Sequence, residues 1–357
     1  MKPWKCISLA SVPLLPTMLS DEERQYLFWL GSSEWTGAGD VVEIGPWLGG
    51  STISLAAGMR ANKRLSGEKR FHVFDNFIWV DYMAQRAPLP IRTGESFQPI
   101  FLENLRDYRD LLVSYCMELP DELLPSDPET MQPVAVAAGL PLVDWPSNKA
   151  VEILFVDGAK SWSAFRHLLI TFAPVLAPGS LLVCQDYKCW GNYWITALTQ
   201  ALSANLEVLH VLRENTVAFR VKQRIAPELV LQLRDVSLDE GIALVRAASQ
   251  ILTDRSDRLG AAIVATGLVN FVLDKSGDLA EARRLYDEVV AAWPLGGNTH
   301  NLKRLRAWLE AHLGQSLPRG PRERTLAIHE RLRARIDWLV GMPPRALRKT
   351  LRVLQCE

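Results

Sequence analysis

Val41-Val42-Glu43-Ile44-Gly45-Pro46-Trp47-Leu48-Gly49-Gly50-Ser51-Thr52 is the stretch that decides the fold. It reads as a buried strand ending at Ile44, a glycine bend, and a helix starting near Ser51. A side chain at Gly45 or Gly49 would keep a ligand away from the loop backbone. Ser51 or Thr52 can cap the helix. The helix N-terminus suits a ligand carboxylate, a contact typically worth about 0.3–1 kcal/mol. The spacing Glu-x-Gly-x-x-x-Gly departs from the G-x-G-x-x-G dinucleotide fingerprint. Taken alone, the pattern also fits an ordinary glycine turn of an α/β fold.

Around this stretch, short apolar runs alternate with amphipathic segments, the mark of a parallel sheet covered by helices. Strands are expected at Asp40–Ile44, Phe71–Asp75, Leu111–Met117, Val151–Val156, Ser180–Cys184, Leu206–Leu212 and Thr216–Val221. Helices fit Ser51–Ala61, Phe97–Tyr108, Ser161–Leu176 and Tyr193–Ala204. Only Arg213–Asn215 separates the last two strands, so they form a hairpin and the sheet ends in one antiparallel strand. The acid- and proline-rich segment 119–150 reads as a long loop with room for one short helix.

Before this zone, residues 1–38 form an N-terminal arm and a helix, opened by the capping box Ser20-Asp21-Glu22-Glu23 and stopped near Gly31–Gly39. After it, residues 223–357 form a helical domain with helices at Leu229–Leu233, Ile242–Ile251, Leu259–Leu273, Leu279–Ala292 and Leu302–Leu313. The run from Ser276 to Pro294 looks like half a tetratricopeptide-type hairpin. One copy cannot build a solenoid, so a plain bundle is expected. From Arg319 the chain is arginine-rich and reads as a solvated helix or tail.

Asp75 closes the second strand, with Asn76 beside it. In doubly wound folds an acid here meets the ribose hydroxyls of an adenosine-containing ligand, because one carboxylate suits two hydroxyl donors. A turn-forming aspartate is the plainer alternative. Asp157 and the pair Gln185-Asp186 end two adjacent strands, on the rim where open α/β sheets bind ligands. Oxygen groups there can hold magnesium or take a proton from a substrate hydroxyl; equally, they can hydrogen-bond loop backbone. Lys160 follows as a base, if desolvation lowers its pKa, or as a solvated loop lysine. His167 sits within a helix pattern. Trp47, Phe77, Trp79, Trp162, Tyr187, Trp190 and Trp194 cluster near loop ends, mostly for packing, with one or two suited to stacking on a ligand ring.

The segments GDVVEIGPWLGGST, FHVFDNF, ILFVDG and PGSLLVCQDY, in this order, resemble the macrocin (TylF-like) type of O-methyltransferase, and more distantly the catechol type. The resemblance covers about 39–190. It implies a class I, Rossmann-like, seven-stranded methyltransferase sheet over 39–222 and S-adenosylmethionine as cofactor. Glu43, Gly45, Pro46, Trp47, Gly49, Ser51 and Thr52 would hold the methionine part, and Asp75 with Asn76 the ribose, with Asp157 bordering the cofactor. It also implies a hydroxyl acceptor on a sugar or natural product, with Asp157 as the catalytic acid–base group. Relatives bind a divalent metal at the positions of Asp157, Gln185 and Asp186. This chain departs from them: Ala159 stands where the macrocin type has a second aspartate, and Gln185-Asp186 where it has a pair of aspartates. Gln185 still offers a carbonyl oxygen, but the pair is one negative charge short, which leaves Mg2+ an open question. Transfer to nitrogen or to a peptide, with the helical domain recruiting the acceptor, is the alternative; a degenerate binding module is a third reading.

The 357 residues carry 40 basic and 40 acidic side chains, so neither nucleic acid nor an anionic membrane is an expected partner. A small-molecule acceptor is. A homodimer is compatible with the sequence, which has no specific signal for one. No run reaches the roughly 18 uncharged apolar residues that a membrane span requires. Pro13 and Pro16 break the apolar start, which reads as an arm and not a signal peptide. Five scattered cysteines with no CxxC suit a reducing compartment, so a cytoplasmic location is expected.

Overall fold

The computed structural model describes residues 2–64, 69–120, 123–125, 133–135, 139–234 and 236–292, together with 306–307 and 310. Seven strands form one sheet: β1 Asp40–Ile44, β2 Phe71–Asp75, β3 Leu112–Cys116, β4 Val151–Val156, β5 Leu176–Cys184, β6 Leu206–Val211 and β7 Val217–Val221. Their order is β3-β2-β1-β4-β5-β7-β6. β1 to β5 pair in parallel, and β7 runs antiparallel between β5 and β6. β1 and β4 are wholly or almost wholly buried, as apolar runs covered on both faces must be. The chain order reverses between β1 and β4, which opens the ligand-binding crevice at their carboxyl ends.

The sequence places these strands to within a few residues. The main difference is β5, which starts at Leu176 because the stretch before Ser180 also pairs: Leu176 lies opposite Val151 across a register shift. Segment 119–150 holds a short antiparallel ladder, Leu123–Pro125 with Pro133–Ala135, and no helix among its described residues.

Helix α1 (Asp21–Trp29) begins with the expected capping box. Ser20 Oγ accepts from Glu23 N at 3.3 Å, and Glu23 Oε2 accepts from Ser20 N at 2.9 Å. A one-turn π-helix, Leu30–Glu34, ends it. α1 packs on α2 (Gly50–Ala61) at close range: a Cβ on Gly58 would lie 2.1 Å from the Phe28 carbonyl oxygen. The arm before α1 is part of the same core. Trp4 is buried, edge-on to Tyr26 and His210 with ring centroids 4.8 Å away, and Lys2 Nζ donates to Val211 O at 2.8 Å.

Further helices are α3 (Gln98–Asn104), α4 (Trp162–Phe172), α5 (Tyr193–Ala201), α6 (Pro227–Gln232), α7 (Leu238–Asp254), α8 (Arg258–Ser276) and α9 (Leu279–Ala292). α7 and α8 pack on each other and on α5. One compact unit therefore spans 1–282, past the boundary at 222 expected from the sequence. The join is chemical as well as apolar. Lys188 is 1% exposed, and its ammonium donates to Leu212 O (2.6 Å), Arg213 O (3.0 Å) and Asp257 Oδ2 (2.8 Å). Asp257 Oδ1 in turn caps α8 through Gly260 N. α8 is, among the described residues, the one helix long and apolar enough to cross a membrane, and 61% of that stretch is buried inside the protein. A second unit starts at Arg283, within α9. Apart from 306–307 and 310, which are helical, the expected helix 302–313 and the arginine-rich end lie outside the described residues.

Candidate functional site

The bend after β1 is built on contact between backbones. Gly45 has φ +80°, a conformation that costs an L side chain roughly 1–2 kcal/mol. A Cβ there would also lie 2.7 Å from Gly158 N and 3.0 Å from Asp157 C. The bend is pinned on both sides, by Gly45 N to Phe74 O (3.0 Å) and by Asp157 N and Gly158 N to Ile44 O (2.9 and 3.0 Å). Gly45, Asp75 and Asp157 thus end three adjacent strands side by side.

Within β1, Glu43 is fully buried, and its Oε1 accepts a short hydrogen bond from Ser51 Oγ at the start of α2. Burial pushes its carboxyl up to about 7, against the opposing pull of Ser51 and Thr52. Pro46 and Trp47 complete the turn. Pro46 O accepts from Gly49 N (2.9 Å), and Gly49, at φ +93°, is the N-cap of α2. Asp75 Oδ1 accepts from Phe77 N at 2.6 Å and Asn76 Oδ1 from Ile78 N at 3.1 Å, so both shape the turn after β2.

Four non-glycine residues with positive φ lie on this one rim: Trp47 (46°) after β1, Phe77 (53°) after β2, Ala159 (63°) after β4 and Asp186 (60°) after β5. Such conformations cost about 1–3 kcal/mol each and persist where surrounding structure imposes them, commonly at functional sites. Trp194 Nε1 fixes one of them by donating to Ala159 O at 2.9 Å.

Asp157 and Asp186 converge with Lys160. Lys160 Nζ donates to Asp186 Oδ2 at 2.8 Å, and Asn215 Nδ2 donates to Asp186 Oδ1 at 3.3 Å. Burial pushes the Asp157 carboxyl well above the usual range; Lys160 opposes this, and Asp186 and Glu43 add to it. For Lys160, burial alone would lower the ammonium's pKa. Asp186 and Asp157 more than offset it, so the net shift is upward. Of the two roles expected for Lys160, a base or a solvated loop lysine, the upward shift speaks against the first and its ion pair with Asp186 against the second. Tyr82, on the one-turn helix Asp81–Ala84, belongs to the same group. Its hydroxyl is pushed up to about 12 by burial, with Lys160 opposing and Asp157, Asp186 and Asp75 adding to it. Nothing in its spacing marks it in the sequence. His167 is not brought to the site; its Nε2 contacts Val143 O at 2.7 Å. The Trp190 side chain lies outside the described residues.

Residues 42–187 match a family model described as a methyltransferase domain. This segment is a methyltransferase domain. The protein is accordingly an enzyme of the methyltransferase class. No curated protein matches the chain. Among solved structures the methyltransferase is similar to the O-methyltransferase NovP, with 17% identity and a TM-score of 0.40 over 59% of this chain and 84% of that one. It is also similar to S-adenosylhomocysteine-bound PaMTH1 of Podospora anserina, with 13% identity and a TM-score of 0.33 over 58% and 80% of the two chains. Cofactor-bound Rv0187 from MTB is a third, with 16% identity and a TM-score of 0.33 over 60% and 85%.

Polar atoms on the methyltransferase rim bear on the fit of an adenosyl donor. The space a Cβ on Gly45 would take is filled by the Asp157–Gly158 backbone, which fixes the bend against β4. Glu43 Oε2, Trp47 Nε1 and Gln185 Oε1 are buried without a hydrogen-bond partner among the described residues, and buried polar atoms are rarely left so without a ligand or water to meet them. The oxygen set expected for magnesium fits less well. Both oxygens of Asp186 are engaged, one by an ammonium, and no cluster of three metal-binding His, Cys, Asp or Glu side chains occurs among the described residues.

Proposed function

We propose that this enzyme transfers a methyl group to a hydroxyl of a small molecule, a sugar or natural product, with Asp157 as the proton acceptor. One observation carries the reading: Gly45 lies directly on the Asp157–Gly158 backbone, which puts the β4 carboxylate at the edge of the donor bend. Residues 43–52 hold the amino-acid end of the donor against the start of α2. Asp75 and Asn76 border its ribose. S-adenosylmethionine, when bound, supplies a methyl on a positively charged sulfur, which departs as a neutral thioether as the acceptor oxygen bonds to the carbon. The acceptor's proton then passes to Asp157, whose burial raises its affinity for a proton. Holding acceptor and methyl in line and excluding water supplies the rest of the rate.

The C-terminal helices contribute to the acceptor side in this reading. A cavity of about 230 Å3 is lined by Trp162 and Tyr193, which start α4 and α5, and by Arg234, Val236 and Phe271. Tyr193 meets Phe271 edge-on at 5.2 Å. An aromatic wall with charged neighbours suits a ring-bearing polar acceptor.

The test is mass spectrometry of methylated products from a panel of hydroxylated and aminated small molecules, with wild type and Asp157→Asn. The variant should bind S-adenosylhomocysteine as wild type does and lose about 10²–10⁴-fold in turnover. Unchanged turnover would remove Asp157 from the mechanism. A product methylated on nitrogen would replace the hydroxyl reading.

A further inference from the structure

We propose that Lys160 is the resident cation of the acceptor site, paired with Asp186 at the place that a divalent metal would otherwise take. This rests on the reading of Asp157 and its rim as the acceptor side of the donor cleft. Three observations carry it.

The first is geometric. Lys160 Nζ and Asp186 Oδ2 are 2.8 Å apart, with side chains only 17% and 23% exposed. The pair joins the ends of β4 and β5, the two strands whose oxygens would have to chelate a metal. The second is the state of those oxygens. Asp186 spends one on Lys160 and the other on Asn215, and its backbone is held at φ +60°. The third is the sequence itself. The residues that follow β4 and β5 include two carboxylates, Asp157 and Asp186, the neutral Ala159 and Gln185, and Lys160. Two carboxylates with a lysine among them suit a single ammonium better than a divalent ion.

An ammonium has three donors. One is spent on Asp186, and no second hydrogen bond is made by Lys160 to the described residues. Its charge also acts on Asp157 from β4 and on Tyr82 from the segment after β2, which leaves the remaining donors for a ligand beside those groups. A hydroxyl oxygen there would receive a charge-assisted hydrogen bond while Asp157 takes its proton. Stabilising the oxygen as it gains negative charge is the work a metal would do by coordination.

The test is Mn2+ binding followed by electron paramagnetic resonance, on the full chain with and without S-adenosylhomocysteine. The wild type and Lys160→Arg should leave the signal of equimolar free Mn2+ intact. Lys160→Ala should bind one Mn2+ per chain, and adding Asp186→Asn should abolish that binding. Stoichiometric Mn2+ on the wild type, released by Asp186→Asn, would overturn the proposal; so would a folded Lys160→Ala that gains no Mn2+ site. Thermal melts establish folding of the variants, and the wild-type measurement decides by itself if Lys160→Ala does not fold. Calorimetry with S-adenosylhomocysteine tests the donor reading separately, so the two ideas fail by different results.

Discussion

Lys188 Nζ and Asp257 Oδ2 lie 2.8 Å apart, and through this pair the loop after β5 is tied to the first turn of α8. Burial pushes the lysine's pKa down while Asp257 pulls it back up. Lys188→Met should cost about 3–5 kcal/mol, because it strands a partly buried carboxylate and two carbonyls. The double variant with Asp257→Leu should cost less than the sum of the single changes. Urea denaturation of the cycle measures this, and additive losses would show that the pair does not couple the helices to the sheet.

Glu43 makes stability depend on pH. Its folded carboxyl is raised from 4.5 to about 7, so the folded chain holds this proton more tightly than the unfolded one. The contribution is fully present below pH 4.5 and lost as pH rises through about 7. Glu43→Gln should flatten that part of the stability profile and leave the variant more stable above pH 7, by up to about 3 kcal/mol. Chemical denaturation across pH checks it; parallel profiles for the two proteins would rule out the effect.

Asp40 should act with the opposite sign. Burial acts against it, but hydrogen bonds from His72, Lys149 and Arg70 hold its carboxyl down to about 2. The stability it gives is present above pH 3.8 and lost as pH falls through about 2. Asp40→Asn should cost about 1–3 kcal/mol at pH 7 and remove this portion of acid unfolding. The same loss at pH 3 and pH 7 would contradict the assignment.

Gly45→Ala tests the bend. Its φ of +80° and the 2.7 Å approach to Gly158 N predict a loss of at least about 2 kcal/mol in stability, from strain and backbone displacement together. S-adenosylhomocysteine binding should weaken alongside it. A variant that binds like wild type would mean that the bend does not cradle the donor.

Much of this architecture is legible in the residues. Apolar runs ending in Gly45, Asp75, Asp157 and Gln185 mark buried parallel strands, since a strand covered on both faces has no alternation to hide it. The Ser20–Glu23 capping box is local chemistry and reads directly. Lys160 is a different matter. Its partner lies 26 positions away, and whether it is base or cation depends on which carboxylates the sheet brings beside it. Tyr82 sits in a segment without periodic pattern, so no spacing could place it above the rim. The helices after 222 look like a separate domain because their composition changes there, whereas burial of Lys188 depends on a single far-off aspartate that pattern cannot reveal.

The last strand to be synthesised, β7, does not lie at the margin of the sheet but between β5 and β6. While the chain is still emerging from the ribosome, β5 has its hydrogen-bonding edge bare on that side, and β6 has no neighbour to pair with. An exposed edge of this kind invites pairing with another chain. Nascent or prematurely terminated products that stop short of Val221 thus expose an unpaired edge, and the rim at Asp186 gains its flanking strand only when that late insertion occurs.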